Sequence, residues 1–97
     1  MKPEKLNDND IQARLSGLND WKIEDGCLKK EFEFKDFSTA FAFMTALSQV
    51  AERMNHHPDW SNSYNKVSIS LTTHSVNGLT QNDFVFAKTT DEVFLSF

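Results

Sequence analysis

The sequence predicts an α+β fold in two layers, a four-stranded antiparallel sheet with helices packed on one face, in the order α-β-β-α-β-β-α. Two observations carry this reading. Stretches of period-2 alternation around residues 21–34 and 67–72 mark half-buried strands. Between them, residues 36 to 54 carry an unbroken 3/4-spaced apolar stripe, the mark of a long amphipathic helix. The links are short, which favours antiparallel pairing with the helices on one side. At 97 residues, the chain is expected to form one domain over residues 1–97.

Each element has its own signal. Ile11, Leu15 and Leu18 recur at helical spacing behind the capping candidates Asn7 and Asp8, which predicts a short first helix. Trp21 and Ile23 alternate with Lys22 and Glu24 as a first strand. Asp25-Gly26 follows, a strong two-residue hairpin signal. The second strand sets Leu28, Phe32 and Phe34 on one face and Lys29, Glu31 and Glu33 on the other, with the run Lys29 to Lys35 read as solvated. Asp36 opens the long helix. Its stripe of Phe37, Ala40, Phe41, Met44, Leu47, Ala51 and Met54, widened by Phe43 and Val50, is read as core. Pro58 stops continuation, and His57 before it is biased away from helix. A short strand is expected from Asp59 to Ser61, then a turn around Asn62 to Asn65. Val67, Ile69 and Leu71 form the last strand, ending at Thr73 and His74. After an Asn77-Gly78 turn, Thr80 and Asp83 have the spacing of a capping box for a final helix. That helix shows two apolar stripes, Phe84, Ala87 and Phe94, and Phe86, Val93 and Phe97. Two stripes suit either a buried terminal helix or a second stripe that contacts another copy of the chain, and the latter is the expectation taken forward.

Composition narrows the function. Ten basic against fourteen acidic residues give a net charge of −4, so direct nucleic-acid binding, which favours a basic balance, is not expected. Nine Phe and two Trp exclude a disordered chain. The single Cys27 excludes an internal disulfide framework and a Cys-rich zinc module, and is read as a half-buried thiol. No apolar run approaches a membrane span. The polar start Met1-Lys2-Pro3-Glu4-Lys5 shows no leader. The expectation is a cytoplasmic protein.

The three histidines fall between positions 56 and 74. His56-His57 lie past a helix end and His74 at a strand end, where rigid elements hand side chains to clefts. Glu52, four residues before His56, shares its side if the helix persists. Trp60 and Tyr64 offer flat apolar surface for a ring. Zinc on His56, His57 and His74 is disfavoured, because adjacent histidines point apart and no H-x-x-x-H spacing occurs. Two readings stay open on spacing alone: ordinary histidines, and metal-free acid–base histidines, imidazole being the side chain best suited to proton transfer near neutral pH.

A wider pattern resembles the pterin-4a-carbinolamine dehydratases. It comprises Phe34-Lys35-Asp36-Phe37-Ser38-Thr39-Ala40-Phe41-Ala42-Phe43-Met44, then Ala51-Glu52-Arg53-Met54-Asn55-His56-His57-Pro58-Asp59-Trp60, then Tyr64-Asn65-Lys66-Val67 and Leu71-Thr72-Thr73-His74. The family signature falls on Glu52, His56-His57-Pro58, Tyr64, His74 and Asp83. The resemblance implies dehydration of 4a-hydroxytetrahydrobiopterin to quinonoid dihydropterin and water, which recycles the cofactor of aromatic amino-acid hydroxylases. It implies no metal and no organic cofactor, with His56, His57 and His74 catalytic. Pterin contacts are implied for Glu52, Asn55, His56, His57, Trp60, Thr72, Thr73 and His74. It also implies a homodimer or homotetramer, joined by sheets and by helices. Asn55 stands where the family commonly has Asp, which implies less charge beside the histidines. The alternative is a non-catalytic pterin-binding module or a transcriptional dimerisation cofactor of the same fold.

Overall fold

The computed structural model describes residues 3–97; Met1 and Lys2, the start of the polar run read as leaderless, lie outside the described residues. Its elements are α1 (Asp8–Leu15), β1 (Lys22–Glu24), β2 (Cys27–Glu33), α2 (Phe37–Met54), β3 (Asp59–Ser63), β4 (Lys66–Leu71), a single 3₁₀ turn (His74–Val76) and α3 (Gln81–Phe94). The strands form one antiparallel sheet in the order β1-β2-β4-β3. The expected fold class and element order are therefore observed.

The register explains the two faces. Lys22, Lys29, Ser70 and Asp59 lie in one cross-strand row, and Glu31, Ser68 and Ser61 in another. Both rows are on the open face. The alternate rows carry Ile23, Leu28 and Leu71, and Phe32 and Val67, under the helices. The Asp25-Gly26 turn is made by two residues of positive φ, as its sequence predicts. The second hairpin turns later than expected. β3 runs on to Ser63, because the Asn62 side chain donates to the carbonyls of Tyr64 and Lys66 at 3.0 and 2.9 Å and so braces the turn from inside the strand. Leu18 lies beyond the end of α1 rather than within it.

Asp36 caps α2 by accepting from the Thr39 amide at 2.8 Å. Hydrogen bonds from the Thr39 side chain and amide hold the Asp36 carboxyl below its ordinary value. The cap's contribution to stability is thus present above the unfolded-state pKa and fades as pH falls through the lower folded value.

The face that α2 buries is Ala40, Phe43, Leu47, Val50 and Ala51. Phe37 and Phe41, expected in the core, are half exposed and pack on each other at 5.9 Å. The helix is rotated so that Phe43, not Phe41, enters the core. There Phe43 meets Phe34 at 4.9 Å and Phe32 at 5.3 Å. Lys30, expected on the solvated face, is likewise on the helix side. Its ammonium bonds Asp91 at 2.8 Å and the Asn19 carbonyl at 3.0 Å, and lies 4.8 Å from the Phe32 ring centroid. Trp21 donates its indole N–H to the same Asp91 carboxylate. This shared acceptor ties the loop before β1 to α3.

The second stripe of α3 is divided in the structure. Phe86 is fully buried within a single copy of the chain, whereas Val93 is half-buried and only Phe97 is exposed. Phe86 packs edge-on to the His56 ring, with centroids 6.0 Å apart. Phe86 is thus covered by the molecule's own core and site. Among the described residues no helix is long and apolar enough to cross a membrane.

Candidate active site

The end of α2 sets the first histidines. Asn55 adopts the left-handed conformation (φ 50°, ψ 45°). Its amide bonds the Glu52 carbonyl, and the His56 amide bonds the Ala51 carbonyl at 3.0 Å. This is a Schellman motif, in which asparagine is tolerated at the left-handed position. Asn55 therefore contributes through its backbone. It stops the helix and turns His56 inward while His57 stays at the surface.

His56 is 8% exposed, and its Nε2 lies 2.6 Å from Asp83 Oδ1. Asp83 is fully buried at the start of α3. Its Oδ2 also accepts from the Thr80 amide at 2.9 Å and the Thr73 hydroxyl at 2.8 Å. The Thr73 and Thr80 hydroxyls are 2.9 Å apart, and Thr80 Oγ1 accepts from the Asn82 amide. The donors run in one direction. Thr73 gives its only proton to Asp83, so Thr80 donates to Thr73. A carboxylate accepts only, so His56 Nε2 donates to Asp83, and in the neutral imidazole the lone pair then falls on Nδ1. No described residue bonds Nδ1, and no buried side-chain nitrogen or oxygen among the described residues lacks a partner. Nδ1 therefore reaches the surface.

The other histidines have carboxylates of their own. His57 Nε2 lies 2.6 Å from Glu52 Oε2, both well exposed. His74 opens the 3₁₀ turn after β4, with Nε2 3.8 Å from Asp59 Oδ2, again at the surface. Thr73 bridges Gly78 across that turn, and the Thr72 hydroxyl reaches the Gly78 carbonyl at 3.4 Å.

Most of the expected site residues come together. Asp83 joins the end of α2 to the end of β4 by holding His56 and Thr73 at once, and His74 follows Thr73 in the chain. Glu52 partners His57 rather than His56. Two expected residues stand apart. Trp60 is half-buried in the row of Lys30 and Ile69 and packs on the core. Tyr64 takes positive φ in the β3–β4 turn, at the opposite end of β3 from the histidines, and is exposed. It is a turn residue, not a ring platform. Two further residues belong to the cluster. Asp83 stands in the signature and at the capping position, neither of which assigns it to His56, and Asp59 carries no site signal of its own. Asp83 meets the cap spacing and also reaches His56, a contact local spacing cannot reveal. A cavity of about 660 Å³ lies against the open sheet face and meets the cluster only at Asp59.

A buried carboxylate–imidazole pair, two surface histidines beside carboxylates and an antiparallel sheet backed by helices define a small α+β protein with its histidines gathered at one end of the sheet. Residues 4–93 match the family described as pterin 4 alpha carbinolamine dehydratase, and the chain belongs to that family. A relative from Synechococcus sp. (strain WH7803), named provisionally as a pterin-4-alpha-carbinolamine dehydratase, is 54% identical over 89% of this chain and 92% of its own. A relative of the same provisional name from Sinorhizobium medicae (strain WSM419) is 45% identical over 95% and 90%. A crystal structure titled transcriptional coactivator/pterin dehydratase, from Brucella melitensis, superposes with a TM-score of 0.90 at 38% identity, covering 93% of this chain and 98% of that one. A pterin dehydratase-like protein described as a RuBisCO assembly factor in the alpha-carboxysome shares the fold, with a TM-score of 0.68 at 23% identity over 78% and 90%.

Proposed function

We propose that the chain dehydrates 4a-hydroxytetrahydrobiopterin to quinonoid dihydropterin and water by histidine acid–base chemistry, in the cytoplasm, as part of cofactor recycling for an aromatic amino-acid hydroxylase. The observation that carries this reading is the 2.6 Å contact of His56 Nε2 with Asp83 Oδ1, in which Nε2 is the donor and the other ring nitrogen of the neutral imidazole is the base. The C4a–O bond breaks, its electron pair leaves with the hydroxyl, and an acid delivers the proton that makes it water. The N5 proton goes to a base, and the N5 electrons form the C4a=N5 bond. We assign the base to His56 Nδ1 and the acid to His74, whose Nε2 lies 3.8 Å from Asp59 Oδ2. His57, held by Glu52, orients the ring. The backbones of Asn55 to His57 and Thr72 to His74 line the pterin, and Trp60 supports β3 from the core side.

No metal takes part in this scheme. The support is the pairing of each histidine with a carboxylate of its own; among the described residues no three His, Cys, Asp or Glu side chains group as a metal site. After dialysis against a strong chelator, the rate of carbinolamine loss is expected to be unchanged. Activity lost to the chelator and restored by zinc would overturn the scheme.

The reading retains one domain and a homo-oligomer, with a different surface from the α3 stripe. Phe37 and Phe41 stay half exposed side by side on α2, and such pairs often mark a contact. Replacing both with Glu is expected to lower the mass seen by light scattering while circular dichroism stays the same. A monomer mass for the unmodified chain at micromolar concentration would contradict the oligomer.

A further inference from the structure

We propose that Lys5 and Leu6 form a strap that holds the His74 loop in place, which makes them positioning residues for the dehydratase reaction; the kinetic part of this inference rests on the function proposed above. The loop from Thr72 to Thr80 closes on itself. The Thr73 amide donates to the Gly78 carbonyl at 2.9 Å, and the Gly78 amide returns to the Thr73 carbonyl at 3.4 Å. Asp83 clamps the loop from inside through Thr73 and Thr80. On the other side, the Leu6 amide donates to the Leu79 carbonyl at 2.8 Å, and Leu6 packs on the core. The aliphatic stem of Lys5 lies across Gly78. A methyl group built there would stand 2.5 Å from Lys5 Cε, 3.2 Å from Cδ and 3.3 Å from Cγ.

Gly78 has no conformational need to be glycine, since its φ is not positive. What excludes a side chain there is the close approach of the Lys5 stem. A lysine suits the place because its methylenes can cover apolar surface while the ammonium stays in water. The strap thus backs the Thr73–Gly78 bridge, and that bridge sets where His74 is presented. When it opens, the loop is free to carry His74 away from the ring.

The test compares Gly78→Ala, Lys5→Ala and Lys5→Met by amide hydrogen exchange and by steady-state kinetics. Alanine at 78 displaces only a flexible side chain, so the fold survives. Gly78→Ala and Lys5→Ala are expected to speed exchange of the Thr73 amide about tenfold, with the Phe32 amide in the sheet unchanged. Both should lower kcat by about three- to tenfold with little change in KM, because a small displacement of a catalytic group acts on the chemical step. Lys5→Met keeps the stem and should match the unmodified chain in both measurements. Unchanged Thr73 exchange in Gly78→Ala and Lys5→Ala would overturn the strap, as would a Lys5→Met variant as impaired as Lys5→Ala. Faster exchange with an unchanged kcat would overturn the positioning role. Faster exchange in a chain whose unmodified form has no turnover would uphold the strap and refute the dehydratase reading.

Discussion

Asp83→Asn is expected to lower kcat by about 10²–10⁴-fold while leaving the fold intact, the range over which a general acid or base contributes. The amide keeps the shape of the carboxylate. Its oxygen can still accept from the Thr80 amide and the Thr73 hydroxyl, which face Oδ2. That places the NH₂ group against His56 Nε2, where Oδ1 stood. An NH₂ donates, so Nε2 must accept, and the imidazole proton moves to Nδ1. The nitrogen offered to substrate changes from base to donor without any displacement of the ring. Nitrogen-15 spectra of the His56 side chain read this tautomer directly. Asp83→Ala is the cruder variant. It strands three buried donors, each charge-assisted bond contributing about 1.5–3 kcal/mol, and should destabilise the chain as well as inactivate it. An Asp83→Asn chain with unmodified kcat would show that the Asp83–His56 pair serves packing alone.

The second large effect concerns the histidines at the two element ends. His56→Ala and His74→Ala should each lower kcat more than tenfold. Their stability effects should differ. His56 is buried against Phe86 and Asp83, so its loss leaves a cavity and takes from Asp83 Oδ1 its donor. His74 is exposed, so its loss should leave the unfolding midpoint unchanged. That makes His74→Ala the cleaner probe of chemistry. His57→Ala should raise KM at least as much as it lowers kcat, because ring orientation acts on binding. Full kcat in His74→Ala, with circular dichroism unchanged, would remove His74 from the mechanism.

The contrast between these residues shows what the sequence could reveal. Element order was readable because hairpin turns, caps and strand alternation are local. Asp25-Gly26 and Thr80–Asp83 both formed what their spacing implied. Rotation about a helix axis was harder to read. The α2 stripe offered nine apolar positions, more than one face can bury, and only packing against Phe32 and Phe34 selects Phe43 over Phe37 and Phe41. For α3 the same ambiguity made Phe86 look like an outward residue. Lys30 departs from the strand pattern, in which a lysine ordinarily faces water; its partner Asp91 lies 61 residues away.

The site divides along the same line. The histidines, Glu52 and the threonines were legible as a signature with fixed spacing. Which carboxylate meets which histidine was not. Asp83 meets His56 across 27 residues, and Asp59 meets His74 only through the turn that follows β4. Asn55 looked like a lost charge beside the histidines. Its left-handed backbone explains the residue differently, as the stop that turns His56 inward.

The central claim is tested most directly by the absorbance decay of freshly generated 4a-hydroxytetrahydropterin in a stopped-flow instrument. Metal-free unmodified chain, Asp83→Asn and His74→Ala are compared at equal concentration. The account predicts decay faster than the spontaneous rate and proportional to the concentration of unmodified chain, with both variants close to spontaneous. Decay at the spontaneous rate with the unmodified chain, or equal acceleration by all three, would contradict it.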